Sequence, residues 1–206
     1  MSKKSLDSCK NEYLETPLDP LLLKTPFKLQ TNWYVITGSS CSGKSTLINQ
    51  LADKGYQTIP EVGRQYIEKE LAKGKRIDEI RKDRAELTRQ IYKLWVEIEG
   101  ELEPSDTLFL DRGLPDSLTF YRVAGMDPNK VLPDCFRYRY ASVFMLDRFP
   151  YDQDGVRGGN DAYADYCDKW MRRDYKTLGY ETIRTPILPP EDRLAFVLER
   201  IQRPEL

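Results

Sequence analysis

The residues Gly38-Ser39-Ser40-Cys41-Ser42-Gly43-Lys44-Ser45 fit the pattern GxxxxGK[ST] at every required position. Each part of that spacing has a chemical use. The two glycines let the backbone turn its amides inward into a nest for a phosphate. A helix starting near Gly43 adds its positive N-terminal end, and Ser45 and Thr46 lie in its first turn. Lys44 reaches terminal phosphates, and the Ser45 hydroxyl is a ligand for Mg²⁺. Cys41 serves as a small spacer, although a thiol beside a helix N-terminus also lends itself to redox sensing.

Carboxylates and arginines recur at positions that would face such a loop. Asp111 closes the apolar run Leu108-Phe109-Leu110, at a strand end where a second Mg²⁺-organising group would stand, and Arg112 follows it. Capping of the next helix is the plainer role for Asp111. Glu61 ends another short strand, with Arg64 one turn on. It reads as a general base or a clamp on an acceptor hydroxyl, or as a helix-start glutamate favoured by the dipole. Carboxylates suffice because phosphoryl transfer depends mainly on positioning and charge neutralisation. Arg148 and Arg157 bracket a loop that could close on a transferring phosphate. Asp152, Asp154, Arg172 and Arg173 are weaker candidates there. The pairs Phe120-Tyr121 and Tyr138-Tyr140 would either stack on a base or pack in the core.

The elements that must position these groups alternate along the chain. Trp33–Thr37, Gln57–Pro60, Thr107–Asp111, Ser142–Leu146 and Tyr180–Thr185 read as strands. Helices are expected over Gly43–Lys54, from Glu61 onward, over Ile77–Ile98 as one long amphipathic element, and over Pro115–Val123. A further helix broken near Pro133 is expected in Asn129–Tyr140, then Asp161–Leu178 and Glu191–Ile201. This alternation predicts an α/β three-layer sandwich: a parallel five-stranded sheet with helices on both faces. Residues 1–30 form an irregular extension in which Leu21, Leu22 and Leu23 latch onto the body. Residues 31–206 form one domain with a lid near 147–160.

Composition removes several alternatives. Of 206 residues, 32 are Lys or Arg and 33 Asp or Glu, so the net charge is −1 and no basic footprint for nucleic acid is expected. Histidine is absent, which excludes histidine-based triads and histidine-ligated metals. The four cysteines form no CxxC pair, and reduced thiols in the cytoplasm are expected. No apolar run approaches the roughly 20 residues of a membrane span. Lys3 and Lys4 precede no hydrophobic stretch, so a signal peptide is not expected. Asn129-Lys130-Val131-Leu132 lacks the aspartate of the guanine-reading motif. Val156-Arg157-Gly158-Gly159-Asn160 only superficially echoes the signature of transporter ATPases.

Several stretches together resemble an AAA-like family of compact phosphate-loop proteins. They are Gly38–Leu47, Pro60–Arg64, Leu110–Ser117, Leu178-Gly179-Tyr180 and Glu191-Asp192-Arg193. That family includes the nicotinamide-riboside kinase domain of the bacterial NAD repressor. It also includes a nucleotide-binding domain that accompanies a triphosphate-tunnel domain in some eukaryotic proteins. The likeness runs from Trp33 to Ile201. The order of motifs is similar, more weakly, to the deoxynucleoside kinases. Asp111 stands where those usually have glutamate, and Gly113-Leu114-Pro115 follows in place of a serine.

The resemblance implies a sheet ordered 2-3-1-4-5 and ATP as the usual donor, with GTP also open. It implies Glu61 as base and Asp111-Arg112 as the acidic-arginine pair. The expected activity is Mg²⁺-dependent transfer of the γ-phosphate to a nucleoside- or nucleotide-like acceptor. Lys44, Glu61, Arg64, Asp111, Arg112 and Arg157 would be catalytic, residues 38–46 would bind the nucleotide, and Ser45 and Asp111 the metal. The alternative is a nucleotide-binding switch or slow NTPase working through a protein or lipid partner. The oligomeric state is open.

Overall fold

Successive residues of a strand point to opposite faces of a sheet, and here both faces are apolar. In the computed structural model, which describes residues 11–149 and 160–201, the main sheet is built from β2 (Trp33–Thr37), β3 (Gln57–Ile59), β4 (Leu108–Asp111), β6 (Ser142–Leu146) and β7 (Thr182–Thr185). It is parallel throughout, in the order β3-β4-β2-β6-β7. Counting only these five strands along the chain, that order is 2-3-1-4-5, as the resemblance implied.

Ile36, Phe109, Phe144 and Leu146 face one side, against Leu47, Ile48 and Leu51 of α1 (Lys44–Asp53) and Leu194 and Val197 of α7 (Pro190–Ile201). Val35, Leu108, Leu110, Val143 and Met145 face the other. They meet Trp95 of α4 (Arg84–Glu101), Leu118 and Tyr121 of α5 (Asp116–Val123), and Met171 and Tyr175 of α6 (Asp161–Thr177). Strands buried on both faces read as continuous apolar runs, which is why the sequence announces them.

The helix expected over Ile77–Ile98 is two helices. A short α3 (Ile77–Ile80) ends before α4 begins at Arg84. The cause is local: the Asp83 side chain accepts a hydrogen bond from the Glu86 amide at 2.9 Å and so caps a new helix. Ile77 and Ile80 fit the apolar period but stay only half-buried. The helix expected in Asn129–Tyr140 is likewise replaced by two 3-10 turns, Pro128–Lys130 and Leu132–Phe136. Proline near the start of each removes an amide that a continuing α-helix would need.

A second, two-stranded parallel sheet pairs β1 (Leu29–Gln30) with β5 (Tyr138–Arg139), which the sequence did not signal. It fastens the N-terminal segment to the body. Leu22 and Leu23 pack on the core as expected, but Leu21 is 72% exposed, and the deeper anchors are Leu14 and Leu18. Between α1 and α4, helix α2 (Val62–Ala72) follows β3 directly and packs on α4. Among the described residues no helix is long and apolar enough to cross a membrane.

Candidate functional site

The parallel register brings the carboxyl ends of the strands to one edge. Ile36 lies beside Asp111, Ile59 beside Leu110, and Thr37 beside Met145. The connections leaving that edge carry Gly38–Gly43, Pro60-Glu61 and Arg112–Pro115. Crevices at such edges are where open α/β sheets bind ligands.

The phosphate loop has the backbone its sequence predicts. Gly38 has φ +139°, and a Cβ there would lie 2.8 Å from the Leu146 carbonyl oxygen. Gly43 is left-handed at φ +78° and stands at the N-cap of α1. The Lys44 ammonium folds back over the loop, donating to the Ser39 carbonyl at 2.8 Å and to Ser42 Oγ at 3.1 Å. Burial and the nearby Arg112 push it below the usual lysine range, while Asp111, Glu61 and Asp116 resist. A cation held uncomfortably in this way gains by meeting phosphate. The first-turn amides of Lys44, Ser45 and Thr46 have no partner within the helix, and Ser45 and Thr46 are exposed at that end.

Arg112 joins the three connections. Nε donates to Glu61 Oε1 at 3.1 Å, Nη1 donates to the Gly38 carbonyl at 3.0 Å, and the same nitrogen lies 3.5 Å from Asp116 Oδ1. Its backbone is left-handed, with φ +80°, a strained conformation of the kind that collects at functional sites. Burial alone would raise the Glu61 carboxyl, but Arg112, Lys44 and Arg64 hold it below the usual carboxylate range. Glu61 is therefore ionised next to Lys44 and Arg112. Asp111 does not cap α5, whose N-cap is Pro115. Its side chain is buried, burial raises its carboxyl to about 6, and Oδ1 has no hydrogen-bond partner. Ser39 Oγ is orphaned in the same way.

These orphans test the site against the expected ligands. A buried lysine at the loop, a left-handed glycine at the N-cap of α1 and an unpartnered carboxylate oxygen fit a phosphate chain with a divalent cation. One carboxylate and one hydroxyl suit Mg²⁺, which keeps several of its waters.

Of the arginines expected around the phosphates, Arg112 and Arg64 lie at this edge. Arg148 is turned to α6, where it pairs with Asp161 at 3.0 Å and Asp165 at 2.6 Å. Arg172 pairs with Asp168 and Asp147, and Arg173 stacks on Trp170. Arg157, Asp152 and Asp154 lie outside the described residues. Of the aromatic candidates, Tyr121 and Tyr140 are buried, and Tyr138 packs on Trp33. Only Phe120 stands at the site, under the Arg112 guanidinium.

Two residues gain importance that the sequence had not given them. Asp116 is fully buried and accepts from the Thr37 hydroxyl, the Gly113 amide and the Tyr175 hydroxyl. Arg193 donates to the Ser42 carbonyl at 2.6 Å, the Pro186 carbonyl at 2.7 Å and the Asp147 carbonyl at 3.3 Å. It thus ties the phosphate loop to the loops after β6 and β7. A cavity of about 80 Å³ opens beside it, lined by Gly43, Thr46, Gln50, Phe149 and Leu188 among others.

A family model described as an AAA domain (AAA_28) matches residues 33–193. The chain belongs to this family. The matched span covers the whole of the sheet edge described above. No curated protein matches the chain in sequence. Among solved structures, deoxyadenosine kinase from M. mycoides, bound to dCMP and dCDP, is similar with a TM-score of 0.57 at 14% identity. The match covers 82% of this chain and 98% of that one. The NadR protein in complex with NR has a TM-score of 0.57 at 15% identity, covering 84% of this chain and 51% of that one. Shikimate kinase from Aquifex aeolicus follows at 0.50 and 16% identity, covering 82% and 96%. At these identities the likeness is one of fold, and it confirms a phosphate-loop α/β sandwich.

Proposed function

We propose that this protein is a Mg²⁺-dependent phosphotransferase that moves the γ-phosphate of ATP to a nucleoside- or nucleotide-like small molecule. The observation that carries the reading is the meeting of buried Lys44, Asp111 and Arg112 with half-buried Glu61 at one sheet edge, with an oxygen of Asp111 unpartnered. The solved structures of similar fold include a deoxyadenosine kinase and a NadR protein bound to NR, which supports an acceptor of that kind.

In this reading residues 38–46 hold the phosphates through their backbone, and Ser45 and Asp111 hold Mg²⁺. Bound there, the cation neutralises phosphate charge. Lys44 and Arg112 neutralise the rest, and Arg64 stands on the acceptor side. Glu61 is ionised and orients the acceptor hydroxyl, taking its proton as the acceptor oxygen bonds to the γ-phosphorus and the bond from that phosphorus to the ADP oxygen breaks. The cavity beside Gly43 and Phe149 receives an edge of the nucleotide base. In this reading the protein works in the cytoplasm.

The test is product analysis. Protein incubated with ATP, Mg²⁺ and a panel of nucleosides and nucleotides should phosphorylate a subset of the panel. Lys44→Ala should lower the rate by at least a hundredfold. Release of inorganic phosphate with no phosphorylated acceptor would favour a nucleotide switch instead. A Lys44→Ala protein with full transfer activity would refute the mechanism.

A further inference from the structure

A second carboxylate lies buried behind the turn that carries Asp111 and Arg112, and the mechanism above does not use it. Glu99, near the end of α4, is fully buried. Its Oε1 accepts from the Tyr140 hydroxyl at 2.8 Å and from the Leu114 amide at 3.2 Å. The Leu114 amide is shared, since it also lies 3.0 Å from the Tyr140 hydroxyl oxygen. Oε2 has no partner. Among the described residues no cation forms an ion pair with this carboxylate.

The Tyr140 ring also presses on the same turn at Gly113. A Cβ at Gly113 would come within 2.9 Å of it, so only glycine lets ring and turn approach this closely. The turn thus leaves Arg112 in its left-handed conformation and at once meets the hydrogen-bonded pair of Glu99 and Tyr140 at the Leu114 amide. It then enters α5, whose first residue, Asp116, pairs with Arg112. An apolar side chain in place of Glu99 would avoid burying a carboxylate. It would also leave the Leu114 amide with the Tyr140 hydroxyl as its one acceptor, and that hydroxyl without an acceptor of its own.

We infer that Glu99 and Tyr140 are positioning residues: together they clamp the Gly113-Leu114 turn so that Arg112 stays aimed at Glu61 and the phosphate loop. The purpose assigned to the clamp rests on the phosphotransfer reading; the clamp itself rests on geometry alone. Because Glu99 belongs to α4, which packs on both α2 and α5, the clamp also links the helix beside Glu61 to the Arg112 turn. Burial raises the Glu99 carboxyl to about 7, against the pull of Tyr140, Leu114 and Arg137. Asp116 adds to the rise, and Cys135, Tyr175 and Tyr180 are the other titratable neighbours.

The experiment compares wild type with Glu99→Leu, Tyr140→Phe and Glu99→Gln. Exchange of the backbone amides in residues 112–116, all but Pro115, is followed by NMR, and Mg²⁺·ATP affinity by calorimetry. Glu99→Leu should speed exchange at residues 112–116 at least tenfold relative to β2 and β6, and weaken Mg²⁺·ATP binding several-fold. Tyr140→Phe, which keeps the ring and the fold, should show a smaller change in the same residues. Glu99→Gln keeps an acceptor for both donors and should restore most of the protection and affinity lost in Glu99→Leu, a rescue that simple core packing would not produce. Exchange at 112–116 as slow as wild type in both Glu99→Leu and Tyr140→Phe would overturn the clamp. Failure of the wild type to take up nucleotide would instead sink the phosphotransfer reading, and the exchange rates would then decide the clamp by themselves.

Discussion

Asp111 shows what the candidate site costs the protein that carries it. A buried carboxylate with one oxygen unpartnered is destabilising unless a cation arrives to use it. Its raised carboxyl records the same fact. Asparagine has nearly the same shape and no charge to desolvate. Asp111→Asn should therefore leave the ligand-free protein at least as stable as wild type, with Tm raised by a few degrees. It should also weaken Mg²⁺-dependent ATP binding tenfold or more. Thermal denaturation with and without Mg²⁺·ATP separates the two effects. A fall in the ligand-free Tm would mean that Asp111 serves the fold and not a ligand. Lys44 shows the same trade with opposite charge, since it is held at the loop although burial and Arg112 both disfavour its ammonium form. Stability given up at a functional site in this way is the usual pattern.

The elements that the sequence announced are those whose signal is local. Trp33–Thr37 and Ser142–Leu146 are strands over the residues the apolar runs marked out. The phosphate loop lies between β2 and α1, where its spacing places it. Where a local signal competed with periodicity, periodicity misled. The run Ile77, Ile80, Leu87, Ile91 keeps a helical period across Asp83, yet Asp83 starts a new helix there. Replacing it decides whether the cap or the period matters. Asp83→Ala should cost about 1 kcal/mol, seen as a lower urea midpoint with an unchanged slope. A midpoint equal to wild type would mean that α4 is held by packing alone. What stayed hidden was the part of the site made by distant contacts. Asp116 meets Thr37 across 79 residues, and Arg193 reaches Ser42 across 151. Neither pairing has a spacing that a sequence could show, because each exists only once the sheet has brought its strand ends together. The β1–β5 pairing is hidden for the same reason: two residues on each side leave no periodicity to read.

Across the whole molecule the buried carboxylates make stability depend on pH, and Glu99 supplies the cleanest case. It is fully buried, and its carboxyl lies at about 7 in the folded protein against 4.5 when exposed. Between those two pH values the folded state therefore holds a proton that the unfolded state has already lost. Stability rises with pH only where the unfolded state binds more protons, so here the Glu99 contribution falls as pH rises from 4.5 to 7 and is level above that. The full loss is on the order of 3 kcal/mol. Other carboxylates act in the opposite sense: Arg112, Lys44 and Arg64 hold Glu61 below its ordinary range, and that contribution is lost on acidification. The raw pH profile mixes these terms, and a difference between two proteins isolates one of them. Glutamine keeps the neutral shape of protonated Glu99 at every pH. Glu99→Gln and wild type should accordingly be equally stable near pH 4.5. The variant should pull ahead as pH rises, by a margin that stops growing above pH 7. For a chain of this size each kcal/mol moves Tm by roughly 2–4 °C, so paired thermal scans from pH 4.5 to 8 resolve the gap. A constant difference across that range would show that Glu99 is ionised throughout. The clamp on Leu114 would then be made by a carboxylate whose charge the interior fully accommodates.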